Sequence, residues 1–188
     1  MFLKLSATLL GLCWSLSVFA ANPSVEIKTN MGNITVELFP LQAPKTVDNF
    51  LKYVNTGFYK GTIFHRVIES FMIQGGGYDA NLREKETQAP VHNEADNGLK
   101  NEAFTIAMAR TGDPHSATAQ FFINTRDNEF LNYTAPNARG WGYTVFGKVV
   151  KGQEVVRKIA KVRTGPKGFL PSDVPQEMVL IEDVKRVP

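Results

Sequence analysis

Residues 62–77 read Thr-Ile-Phe-His-Arg-Val-Ile-Glu-Ser-Phe-Met-Ile-Gln-Gly-Gly-Gly. Thr62 to Ile68 and Phe71 to Gln74 are rich in β-branched and aromatic residues, the types that suit a pleated, half-buried surface, and they read as two strands. The triplet Gly75-Gly76-Gly77 punctuates the second run. It lacks the Lys-Ser/Thr of a phosphate-binding loop and the following helix of a dinucleotide fingerprint, so a bulge or tight turn accounts for it better.

The same texture extends in both directions. Val25 to Lys28 and Ile34 to Leu38 alternate apolar and polar residues around the turn-forming Asn30-Met31-Gly32-Asn33, a β-hairpin pattern. Further strands are expected over Phe104 to Ala109, Gln120 to Asn124 and Thr144 to Val150, with a closing strand at Met178 to Ile181. Two stripes at helical spacing interrupt them. One follows Ala43-Pro44, with Val47, Phe50, Leu51 and Val54 on one face, and stops at Gly57; the other follows Gly152, with Val155, Ile159 and Val162. About eight short strands, separated too often by turns for parallel crossovers, favour a mainly β fold over an α/β sheet. The expectation is an antiparallel barrel or sandwich with two packed helices. The polar stretches Tyr78 to Lys100 and Tyr133 to Gly140 are long enough to frame a site. Thr164 to Gln176 reads as a loosely structured linker within the fold.

The chain's 188 residues are 43% hydrophobic and 21% charged, a balance that excludes a disordered or collagen-like protein. A single domain of this length buries roughly 70% of its unfolded surface and needs no metal or disulfide to hold its core. The net charge is only +3 and no basic run occurs, so a nucleic-acid partner is not expected. Residues 1–20 follow other rules. Lys4 precedes an apolar stretch from Leu9 to Phe19 that ends in Val18-Phe19-Ala20, the pattern of a cleavable export signal, with the functional domain occupying 21–188. The one cysteine, Cys13, lies inside that signal, so the exported chain would carry no disulfide and no thiol nucleophile. No membrane association is expected once the signal is removed, and nothing in the pattern argues beyond a monomer.

Several chemistries have no candidate. His65, His92 and His115 are the only histidines and lie outside any HExxH or Cys/His metal spacing, so each reads as structural or exposed. A serine-hydrolase elbow, GxSxG, is absent. Glu94 and Asp96 fall in a turn-rich loop rather than a catalytic pair. What remains is a group of large apolar side chains interleaved with a few polar ones: Phe64-His65-Arg66, Phe71-Met72-Ile73-Gln74, Ala107-Met108-Ala109-Arg110 and Gln120-Phe121-Phe122-Ile123-Asn124. Strict alternation would place Phe64 with Arg66, Met72 with Gln74, and Gln120 with Phe122. One face would then combine an apolar floor with guanidinium and amide donors. Taken singly, each aromatic reads as core and Arg66 as a solvated strand charge.

Taken together, Phe64-His65-Arg66, Phe71 to Gly76, Gln120 to Ile123 and Val145-Phe146-Gly147-Lys148-Val149 resemble the signature of the cyclophilins, in the family's order from about Val25 to Val187. The resemblance implies a closed eight-stranded antiparallel β-barrel capped by two α-helices. It also implies peptidyl-prolyl cis/trans isomerase activity without metal or cofactor, on proline-containing unfolded or flexible polypeptides. The exported, cysteine-free form resembles the bacterial periplasmic members. Matched by motif, Arg66 is the catalytic arginine and Gln74 orients it. Phe71, Met72, Phe122 and Leu131 form the proline pocket, Gln74 and Gln120 its polar rim, and Ala109, Arg110 and Thr111 the segment whose backbone holds substrate.

Three positions depart from the commonest family pattern: Phe130 stands where many members have Trp, Tyr143 where many have His, and Arg110-Thr111 where many have Asn-Ala. Phe130 keeps apolar surface at the substrate site but offers no indole N–H, so weak binding of cyclosporin, the family's cyclic-peptide inhibitor, is expected. Two other functions share the same residues on paper. An adaptor could bind proline peptides without turnover, and a barrel could carry a small apolar ligand if its interior were open.

Overall fold

The computed structural model describes residues 21–187, so the export signal expected over residues 1–20 lies outside the described residues. The chain opens with the predicted hairpin, β1 (Ser24–Thr29) and β2 (Gly32–Leu38). Val25 pairs with Val36 and Ile27 with Ile34, and all four are fully buried. The period-2 pattern therefore delivers one whole face to the interior.

Helix α1 (Pro44–Asn55) follows, with proline at its start, where the missing N–H costs nothing. Its own N-cap position, Ala43, supplies no side-chain acceptor. Glu94 does so from a distant loop: its carboxylate accepts from the backbone N–H groups of Lys45 (3.1 Å) and Thr46 (2.9 Å) and from the Thr46 hydroxyl (2.7 Å). An anion at this end also complements the helix dipole.

The remaining strands are β3 (Thr62–Ile68), β4 (Met72–Asp79), β5 (Thr105–Met108), β6 (Phe121–Asn124), β7 (Val145–Lys151), β8 (Thr164–Lys167), β9 (Leu170–Pro175) and β10 (Leu180–Val187). Helix α2 (Gln153–Ala160) lies between β7 and β8, and a single 3-10 turn, Glu129–Leu131, follows β6. Eight strands close into a barrel in the order β1-β10-β3-β4-β6-β5-β7-β2, every pair antiparallel. Closure leaves the barrel without an edge strand, with β10 meeting β3 at Leu180 and Ile181.

Side chains fill the interior. Phe121 meets the rings of Phe50, Phe64 and Tyr59 edge-on, with centroids 5.8, 6.0 and 5.5 Å away. The buried faces of both helices join this core through Val47, Phe50 and Tyr53 on α1 and Val156 and Ile159 on α2. A ligand-carrying interior has no room here.

Three expectations are corrected. Strand β4 runs through the glycine triplet instead of ending at Gln74, because the glycines occupy bulged positions within a continuous ladder. The last strand begins at Leu180 rather than Met178 and continues to Val187. Only Ile181 and Val184 of it are buried, so its polar outward face hid the strand in the sequence. Finally, Thr164 to Gln176 is no linker: β8 and β9 form a two-stranded ribbon, with Gly168 in the left-handed conformation at the turn. Gly, Pro and Lys mask its alternation. Buried Val174 fastens it, together with the Gln176 N–H donating to the Arg163 carbonyl at 2.9 Å.

Candidate active site

Strands that alternate into the barrel on one side must present the other set of residues outward. On β4, β5, β6 and β7 the inward residues are Ile73, Ile106, Phe121 and Phe146, and the outward ones are Met72, Ala107, Phe122 and Val145. With Leu131 these outward residues form a second buried apolar cluster, separate from the interior. Its partly buried fringe includes Phe71, Ala109 and Tyr143. An external cluster that loops do not cover leaves a recess. The recess is a hollow of about 100 Å³ lined by Phe71, Met72, Phe122, Leu131, Ala109 and Tyr143, with Arg66, Gln74 and Arg110 as its polar members.

Arg66 reaches this face because of a bulge. Phe64 pairs with Gly75 and Arg66 with Gln74, so two steps along β3 oppose one along β4. Strict alternation placed Phe64 beside Arg66, but the extra residue inverts the phase. Phe64 is buried among the interior rings and Arg66 stands exposed at the rim of the hollow. Gly75, opposite Phe64, permits the close approach: a Cβ there would fall 2.8 Å from the Ile63 carbonyl oxygen.

The polar residues form a chain. Gln120 Oε1 accepts from Gln74 Nε2 at 3.0 Å, and Gln74 Oε1 faces Arg66 Nη1 at 3.5 Å. Arg110 is braced by donating Nε–H to the Gly142 carbonyl and Nη1–H to the Thr111 carbonyl, both at 2.9 Å, and lies 4.5 Å over the Tyr143 ring. Gln120 and Thr111 line an adjoining groove with Tyr78 and Glu84 rather than the hollow itself. The Ala109 and Thr111 N–H groups are already engaged, by the Gln120 carbonyl and the Ser116 hydroxyl. The Thr111 carbonyl is taken up by Arg110, so a main-chain grip at this segment falls to the Ala109 and Arg110 carbonyl oxygens and the Arg110 N–H. Phe130 stands outside the hollow, 71% exposed, with its ring 5.6 Å from that of Phe71. Of the two loops expected to frame a site, residues 78–100 contribute Tyr78 and Glu84 to the groove, whereas 133–140 contribute to neither the hollow nor the groove.

Residues 24–186 match the family model described as cyclophilin type peptidyl-prolyl cis-trans isomerase/CLD. The chain belongs to the cyclophilins. It is 58% identical over 163 residues to the peptidyl-prolyl cis-trans isomerase cyp18 of Streptomyces antibioticus, covering 86% of this chain and 97% of that protein. Identity to peptidyl-prolyl cis-trans isomerase B of Escherichia coli is 56% over 160 residues, covering 85% and 97% respectively. The crystal structure of a Cryptosporidium parvum cyclophilin type isomerase in the presence of the dipeptide Ala-Pro superposes with a TM-score of 0.69. That match has 30% sequence identity and covers 88% of this chain and 99% of the other. The protein is thus a cyclophilin-type peptidyl-prolyl cis-trans isomerase.

One neighbour of Arg66 in this cyclophilin has no counterpart in the sequence pattern. Asp173, on β9, places Oδ2 3.9 Å from Arg66 Nε. It lies in the stretch read as a linker, and the register that carries it past β3 leaves no trace in the alternation. Its one local signal, a φ of +63°, belongs to the backbone and not to the sequence.

His65, the neighbour of Arg66, points away from solvent and packs edge-on to Tyr78 at 4.7 Å. Burial, with the Arg66 charge beside it, lowers its pKa from 6.5 to about 4. A folded-state value below the unfolded one means that the unfolded chain takes up the proton first. His65 therefore leaves stability unaffected above about pH 6.5 and removes it progressively as the pH falls towards 4. The full loss is on the order of 3 kcal/mol. Denaturant titrations between pH 7 and 4 should show this decline, and His65→Gln should flatten it. An equal slope in the variant would contradict the assignment.

Proposed function

We propose that this isomerase acts in the periplasm on X-Pro bonds of exported polypeptides while they fold, with Arg66 as the group that stabilises the twisted amide. The observation that carries the reading is a guanidinium and its glutamine partner at the rim of an external apolar hollow.

Rotation about a peptide bond faces ~18–20 kcal/mol, chiefly lost resonance, while the two planar forms of X-Pro differ by roughly 1 kcal/mol. No bond breaks, so a catalyst need only bind the twisted amide better than either planar form. On twisting, the proline nitrogen regains its lone pair and becomes an acceptor. A guanidinium that stays protonated is suited to meet it. Phe71, Met72, Phe122 and Leu131 hold the proline ring and exclude the water that favours the planar, charge-separated form. Gln74, itself held by Gln120, orients Arg66. Arg110 and the main chain of Ala109 to Thr111 hold the flanking chain, and Tyr143 closes the wall beneath Arg110.

The N-terminal pattern of residues 1–20, and a cysteine confined to it, support the periplasmic setting. The protein works as a monomer on unfolded or flexible chains. The test is refolding of an exported protein whose slow phase is X-Pro isomerisation: the purified 21–188 chain should accelerate that phase, and an unchanged phase would contradict the role. Exposed Phe130 has no side-chain N–H to give a cyclic-peptide inhibitor, so cyclosporin should inhibit only above micromolar concentration. Sub-micromolar inhibition would show that the missing donor is unimportant.

A further inference from the structure

We propose that Asp173 is a positioning residue for the isomerisation, its carboxylate holding the Arg66 guanidinium so that the free N–H groups face the hollow. The inference rests on Arg66 being the donor to the twisted amide.

A guanidinium at the end of a long, part-exposed side chain has many accessible orientations, and a single contact leaves its plane free to swing. Arg66 has contacts on two different edges. Nη1 faces Gln74 Oε1 at 3.5 Å, and Nε faces Asp173 Oδ2 at 3.9 Å. Two acceptors on separate edges of a rigid five-donor fork bias its plane and leave the remaining donors for a ligand. Asp173 does not line the hollow, and its contact with the site is made through Arg66.

The carboxylate is itself held in place. The Ser172 hydroxyl donates to the same Oδ2 at 3.0 Å. The next two residues, Val174 and Pro175, are buried, and Val174 pairs with Gly165 across the ribbon. Asp173 adopts a φ of +63°, a left-handed conformation that glycine takes without cost and that other L residues take at some expense, Asp and Asn least. A charged side chain thus occupies a position where the backbone alone would favour glycine, and it points at the arginine. Backbone strain kept beside a functional group, with a contact to explain it, is the pattern of a built constraint.

Asp173→Asn is the clean test, because asparagine keeps the shape and tolerates the left-handed backbone while removing the charge. The expected result is a kcat lowered by about two- to fivefold, the scale of a part-exposed ion pair. KM should stay within about twofold and the melting temperature should not change. Asp173→Gly should show the same loss of kcat with a melting temperature equal to or above that of the parent, since it relieves the backbone. In an Arg66→Ala background, Asp173→Asn should cause no further loss. Parental kcat in both single variants, or the same loss with Arg66 already removed, overturns the proposal. If Arg66→Ala itself turns over at the parental rate, the donor reading fails and the proposal with it. If Arg66→Ala is crippled and Asp173→Asn is not, only the positioning role fails.

Discussion

Replacing Arg66 with alanine should lower kcat/KM for a short X-Pro peptide by about 10²–10³, the loss typical of removing one donor aimed at charge that develops in a transition state. The size follows from where the guanidinium sits. It stands at the rim of a hollow whose floor is Met72, Phe122 and Leu131, so the proposed bond to the twisted amide would form against apolar surroundings. The planar substrate offers no comparable nitrogen lone pair, so the donor contributes little to ground-state binding and KM should move little. A protease-free assay of cis/trans relaxation measures both constants. A loss shared equally between binding and turnover would make Arg66 a general substrate contact. No loss of turnover would favour an adaptor that binds proline peptides without isomerising them.

The second large effect concerns stability. Phe121 follows Gln120 and precedes Phe122, yet it serves the barrel and not the site: it is fully buried and central to the ring cluster of Phe50, Tyr59 and Phe64. Phe121→Ala should cost about 3–5 kcal/mol, the transfer of a ring plus the cavity left in a close-packed interior. For a chain of this length that corresponds to a melting temperature lower by roughly 6–20 °C. Urea unfolding should show a lower midpoint with the slope retained. A loss below about 1 kcal/mol would mean that the interior relaxes around the gap, contrary to the packing described.

How far these features could be read from residues alone depended on the range of the interaction. β1 and β2 declare themselves by alternation, because one face of each meets a core and the pattern is local, whereas β4, β5 and β6, buried on both faces, show instead as short runs of apolar residues. Met72, Phe122 and Leu131 were legible through motif, and the hollow assembles them together with Arg66 and Gln74. The inversion between Phe64 and Arg66 was not legible, since a bulge is a property of two paired strands and only the glycines hint at it. Glu94 read as a loop carboxylate because the helix it caps lies some fifty residues earlier in the chain, and no spacing rule spans that distance. Asp173 was lost for a related reason. Its ribbon is short and its composition resembles a linker, and its value lies in a contact with β3 that only the folded chain makes.

A donor that meets only the twisted amide accelerates rotation on the enzyme rather than capture of the peptide, and that is the role proposed for Arg66. NMR exchange measurements at saturating peptide, which report cis/trans interconversion within the complex, test it most directly. The account predicts that Arg66→Ala slows this bound-state interconversion by about 100-fold or more, while peptide affinity changes by less than about threefold. Bound-state interconversion at the parental rate in Arg66→Ala would contradict it.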